Sequence, residues 1–165
     1  MPTARGTMLL CILCASMVRA AGAQELLDRV VARVDSNIIL LSDVRAAVAL
    51  GVVAAPAGDA DRAGVEPLIE RQVILAEVAR FPAPEPTELA VDELLATMKL
   101  RAGSQLDAMM AATGIDEPRM RALARDTLRI QAYVKQRFGV AASVDAPEVR
   151  QWIRDARSRA TVVGG

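Results

Sequence analysis

Histidine is absent from all 165 residues. That removes the side chain on which most acid-base and nucleophilic chemistry near neutral pH relies, and it excludes histidine-dependent serine or cysteine triads. No glycine-rich phosphate loop, dinucleotide fingerprint or Cys/His zinc spacing is present either, so neither a catalytic group nor a bound cofactor is expected. Aromatic residues are few, with one Trp, one Tyr and two Phe. A core must therefore be made from Ala, Val, Leu, Ile and Met, a palette that suits helix faces better than sheets. The only cysteines are Cys11 and Cys14, leaving the rest of the chain without a thiol or a disulfide.

What the N-terminus does contain is a pattern for export. Arg5 precedes an apolar run from Met8 to Val18, and the triplet Ala21-Gly22-Ala23 supplies small residues. This is the layout of a secretory signal peptide, with cleavage expected between Ala23 and Gln24 and delivery to the periplasm. The run is too short for a permanent span, which needs about 20 apolar residues, so no membrane span is expected after cleavage. Leu10 and Leu13, bulky residues just before the cysteines, disfavour lipidation. Removal of residues 1–23 takes away Arg5 and Arg19, leaving 18 basic and 20 acidic groups, a net of 18 − 20 = −2. A near-neutral surface argues against nucleic acid as a partner.

Along the rest of the chain the pattern is mainly α: a small β-hairpin near the N-terminus, then about six helices in one irregular domain over 24–160. In RVVARV-DSN-IILL, Asp35, Ser36 and Asn37 suit a three-residue turn with Asn37 left-handed. Ser42 is the expected N-cap of a short helix ended by Gly51, and residues 52–66 read as a loop. In the next helix, from Pro67, Leu68, Ile69, Val73, Ile74, Leu75, Ala76, Val78 and Ala79 cover most of the circumference, which predicts burial on several sides. The prolines of Phe81–Pro86 break it. Thr87 then caps a third helix stopped by Gly103, and Ser104 caps a fourth that ends at Gly114. Asp116 and Pro118 start the longest helix, running to about Phe138, with Met120, Leu123, Thr127, Ile130, Val134 and Phe138 on one face and Arg121, Arg125 and Arg129 on another. Asp145 and Glu148 have capping-box spacing before a last helix with Val149, Trp152 and Ile153. Residues 161–165 are expected to form a loose tail.

Four constellations could carry chemistry. Asp59, Asp61, Gly64 and Glu70 fall in the register of a calcium loop, but Ala63 and Pro67 spoil it, and a solvated inter-helix loop is the favoured reading. Glu88, Asp92 and Glu93 are better explained by the dipole of a helix N-terminus than as catalytic carboxylates; likewise the arginine stripe reads as a solvated face. Met98, Met109, Met110 and Met120 are flexible, polarizable side chains able to repack against many apolar partners. Met109 and Met110 are adjacent on a short helix and cannot easily both point inward, so at least one is a candidate for lining a client-binding groove.

In their order, VVARVDSNIILLSDV, PLIERQVILAEVARF and ASVDAPEVRQWI resemble the N-terminal chaperone region of the SurA-type periplasmic folding factors, over about Val30 to Arg154. The second segment is similar to that family's spaced Leu-Ile-x-x-x-x-x-Leu-x-x-x-Ala helix, the third to its Val-x-x-x-Glu-Val segment. The resemblance implies a periplasmic chaperone binding unfolded or extended envelope and outer-membrane proteins. The parvulin-like isomerase domain that follows in that family has no counterpart in this sequence, so isomerase activity is not expected. The chaperone is read as a monomer or a homodimer; the alternative is an adaptor pairing with a dedicated partner, such as a separately encoded isomerase.

Overall fold

A computed structural model describes residues 28–55 and 58–164. The expected signal peptide, with Ala23 and Gln24, lies outside the described residues.

The chain opens with an antiparallel hairpin of β1 (Val30–Val34) and β2 (Asn37–Leu40). The turn between them holds two residues, not three, because Asn37 already pairs with Val34. Asp35, with φ of 51°, takes the left-handed conformation expected of Asn37. A short polar side chain tolerates that conformation, and here its carboxylate also has a partner to hold. That partner is the C-terminal segment. Residues Val162–Gly164 form β3, antiparallel to the free edge of β1 with Val34 opposite Val162 and Ala32 opposite Gly164. The expectation of a loose tail is therefore corrected: the second edge of β1 has unpaired backbone groups, and the β-branched run Thr161-Val162-Val163 is well suited to pair with them.

Seven α-helices make up the remainder among the described residues, in line with the mainly α class: α1 (Leu41–Ala49), α2 (Ala60–Ala63), α3 (Val65–Arg80), α4 (Glu88–Ala102), α5 (Leu106–Thr113), α6 (Glu117–Phe138) and α7 (Pro147–Arg159). The single-turn α2, capped by the Asp59 side chain on the Arg62 amide, is the addition to the expected six, and α3 begins two residues before Pro67, which its first turn accommodates. Thr87 caps α4 and Asp116 caps α6 through their side chains, as expected. Three expected caps belong to other residues. Leu40 is the N-cap of α1, and its amide donates to Asp43 at 2.9 Å, while Ser42 bonds Asp28 instead. Ser104 lies in a 3-10 turn over Gly103–Gln105, which makes Gln105 the N-cap of α5. Ala146 precedes α7, since Pro147 fits the first helical position and sets the boundary there.

Two aliphatic clusters hold these elements. The larger joins the inner face of the sheet (Ala32, Val34, Ile39) to α3, the second half of α6 and α7. The smaller joins α1, α4, α5 and the first half of α6. Helix α1 serves both, with Val44 and Ala47 facing one and Ala46 and Leu50 the other. Within α3, Leu68, Ile69, Val73, Ile74 and Val78 are buried, but Leu75 is only partly so and Ala79 is exposed. Three of the four aromatic side chains meet at the α6–α7 corner, where Tyr133 and Phe138 each lie 5.6 Å from Trp152. Arg137 stands over the Trp152 ring at 5.4 Å, a favourable placement for a cation.

The arginine stripe of α6 is an inter-helix ladder. Arg121 pairs with Asp92, Arg125 with Glu88 at 2.5 Å and Arg129 with Glu85 at 3.2 Å. Residues four apart on α6 meet Asp92 and Glu88 of the antiparallel α4 and Glu85 just before it, so these acids serve the packing of α4 on α6.

Candidate functional site

Two grooves at helix junctions stand out on the described surface, a smaller one that is mostly apolar and a larger one of mixed polarity. The larger, of about 680 Å³, lies between α3, α6, the turn after α1 and the connection from α6 to α7. Each wall follows from local sequence. Pro67, Glu70, Arg71 and Ile74 recur at helical spacing and place one face of α3 on the groove; Thr127, Ile130 and Gln131 do the same for α6. Opposite them run Val52 and Val53, whose amides both donate to the Ala47 carbonyl and fold the chain back after Gly51. Val144 closes the far side. At the rim Arg150 of α7 grips Glu70 of α3 with two hydrogen bonds, 2.5 and 2.8 Å. Those bonds, ahead of any effect of burial, hold the Arg150 guanidinium above its ordinary value.

Arg71 distinguishes this groove. It is only 7% exposed. Its Nη2 donates to the Leu123 carbonyl of α6 at 3.1 Å, and no carboxylate among the described residues lies within ion-pair distance. Burial pushes the guanidinium down to about 10, with only partial compensation from the charge of Asp126, so it remains cationic at neutral pH. A buried charge without a counter-charge costs several kcal/mol of desolvation. The groove thus sets aliphatic side chains beside two carboxylates, Glu70 and Asp145, and two guanidiniums, of which Arg150 is paired with Glu70 while Arg71 has no described carboxylate within ion-pair distance.

The smaller groove, about 230 Å³, lies between β2, α1, α3, α5 and α6. Ile38, Ala46, Leu68, Ile115 and Leu123 line it, with Arg119 and Asp126 among its polar groups. Ile38 is 58% exposed, so apolar surface continues from this groove onto the open face of the sheet.

The methionines are placed differently from expectation. Met98, Met109 and Met120 are buried in the smaller core cluster beside Leu50, Val91 and Leu95. Met110 is partly buried against the same cluster. None of the four lines either groove; Met98, Met109 and Met120 are closed off in the core, whereas Met110 keeps part of its surface at the edge of the cluster. An aliphatic core with so few rings needs adaptable side chains to fill its gaps, and methionine provides them. The residues of the calcium register are separated in the same way. Asp59 caps α2, Asp61 pairs with Arg45 at 2.6 Å and Glu70 faces the larger groove on Arg150. Among the described residues no cluster of three or more potential metal ligands forms, and no helix is long and apolar enough to cross a membrane.

Sequence reasoning missed Arg71. The signal was nevertheless present, because a charged residue inside a helix that is apolar around most of its circumference has to be accommodated within packing. No known protein family, curated protein or solved structure matches this chain.

Proposed function

We propose that the protein is an exported chaperone of the periplasm that holds unfolded or extended envelope and outer-membrane polypeptides in its inter-helix grooves, without enzymatic activity. The observation that carries this reading is the larger groove, of about 680 Å³, where the partly exposed Val52 and Val144 stand over a floor of buried Val53, Ile74 and Ile130. The smaller groove and the exposed Ile38 and Val163 on the outer face of the sheet extend the apolar area. The signal-peptide pattern of residues 1–23 supports the location, and the resemblance of Val30 to Arg154 to the N-terminal region of SurA-type folding factors supports the client class.

The test is suppression of aggregation. The purified protein is expected to slow aggregation of a denatured outer-membrane protein and to leave prolyl isomerisation of a short peptide unchanged. Val52→Glu with Val144→Glu, both at partly exposed positions of the groove wall, should abolish protection while leaving the fold intact. Protection undiminished in that double variant would move the binding surface elsewhere. Co-purification with one stoichiometric partner, and no protection of denatured clients, would favour the adaptor.

A further inference from the structure

We infer that the larger groove is a receptor for the C-terminal carboxylate of a polypeptide that ends in apolar residues, with Arg71 as the carboxylate-binding group; this rests on the polypeptide-binding reading above. The juxtaposition behind it is an arginine that is 7% exposed and has no ion-pair partner among the described residues, in a groove lined by Val52, Ile74, Ile130 and Val144, with Asp145 just before α7.

Most of the donor capacity of Arg71 is unused by the described residues. A guanidinium has five N–H donors, and the side chain makes one hydrogen bond to a described residue, from Nη2 to the Leu123 carbonyl. That carbonyl already accepts the Thr127 hydroxyl at 2.8 Å, so the arginine does not rescue an orphaned acceptor. The neighbouring charges of the groove show the contrast. Arg150 is neutralised by a two-point pair with Glu70, whereas Arg71 has only the more distant Asp126 to offset it.

A planar carboxylate matches a guanidinium in a two-point geometry, and the pair is strongest where water is excluded. The aliphatic walls select what carries the carboxylate. Internal Asp or Glu side chains bring the carboxylate on a short methylene stem from a backbone that continues on both sides, while a chain terminus brings its charge directly beside its last side chains, which can be apolar. A polypeptide end is therefore the occupant that satisfies both the cation and the walls. Gln131, at the groove and exposed, is placed to meet peptide groups just upstream of the terminus.

The experiment uses a fluorescent peptide, Gly-Ala-Val-Leu-Val, labelled at its N-terminus and made once with a free C-terminal carboxylate and once as the amide. Fluorescence anisotropy should show the acid binding the wild-type protein about tenfold or more tightly than the amide, the size expected of one desolvated charge-assisted pair. In Arg71→Gln the two peptides should bind alike, and in Arg71→Lys part of the preference should return. Equal affinity of acid and amide for the wild-type protein overturns the inference and leaves the polypeptide-binding reading standing. That comparison needs no variant, so it holds even if substitution of Arg71 unfolds the protein. Binding of neither peptide removes the reading and the inference together. Displacement of the acid peptide by decanoate at equal concentration would mark the groove as a fatty-acid site and overturn the polypeptide terminus as its occupant.

Discussion

Asp35 and Thr161 exchange two hydrogen bonds: the Asp35 amide donates to the Thr161 carbonyl at 2.8 Å, and the Thr161 amide donates to Asp35 Oδ1 at 2.9 Å. They lie 126 residues apart, so this exchange closes nearly the whole described chain on itself at the hairpin turn. Asp35 combines that role with a left-handed backbone that most residues resist.

Asp35→Ala should therefore lose both a hydrogen-bond acceptor and a tolerated conformation, and cost about 1–3 kcal/mol in urea unfolding. Asp35→Asn keeps an oxygen at the same place and tolerates the same backbone, so its cost should be well below that of Ala. Equal losses in the two variants would detach the turn from the C-terminal strand.

Gly64 stands where α2 hands over to α3, with φ of −80°, so it is not there for its backbone freedom. Its reason is space. A Cβ at this position would lie 2.8 Å from both Val44 Cγ1 and Val48 Cγ2 of α1. Gly64→Ala should cost about 1–3 kcal/mol through overpacking, and Gly64→Ala combined with Val48→Ala should recover part of it in the same thermal melts. A neutral single variant would show that α1 and α2 are less closely apposed.

Burial separates two residues that look alike in sequence. Ile153 is 1% exposed in the larger cluster, so Ile153→Ala should cost about 2–5 kcal/mol. Leu75, which the periodicity of α3 marks as core, is only partly buried and packs at the margin of that cluster. Leu75→Ala should cost clearly less, as read by chemical denaturation of both variants side by side.

These differences show what the sequence can and cannot reveal. Caps at Thr87 and Asp116, stops at Gly103 and Gly114 and the hairpin itself are decided by residues within a few positions, and all were legible. The pairing of Val162 with Val34, the ladder from Arg121 to Asp92 and the retreat of Met98, Met109 and Met120 into the core depend on segments distant in the chain. No local pattern encodes which face of α6 meets α4, so the arginines read as solvent-facing. The larger groove was invisible for the same reason, since its walls come from four separate segments.

The Arg45–Asp61 pair ties α1 to α2, and its hydrogen bond lowers the Asp61 pKa below the ordinary value of 3.8. A lowered folded-state pKa means that the stabilisation is complete above 3.8 and is lost as pH falls through the folded value. Asp61→Asn should flatten that part of the acid limb in a stability-versus-pH series, by a small amount because the pair is largely open to solvent. An unchanged acid limb would mean that the pair contributes nothing.

The central claim is that the larger groove is where unfolded polypeptide binds, and photo-crosslinking from its wall measures this most directly. A photoreactive side chain at Val144, on the groove, should crosslink to an unfolded outer-membrane protein and not to the same protein once folded. The same group at Gln151, exposed on α7 and outside the groove, should crosslink to neither. Capture of the unfolded client from Gln151 as efficiently as from Val144, or no capture from Val144, would contradict the account.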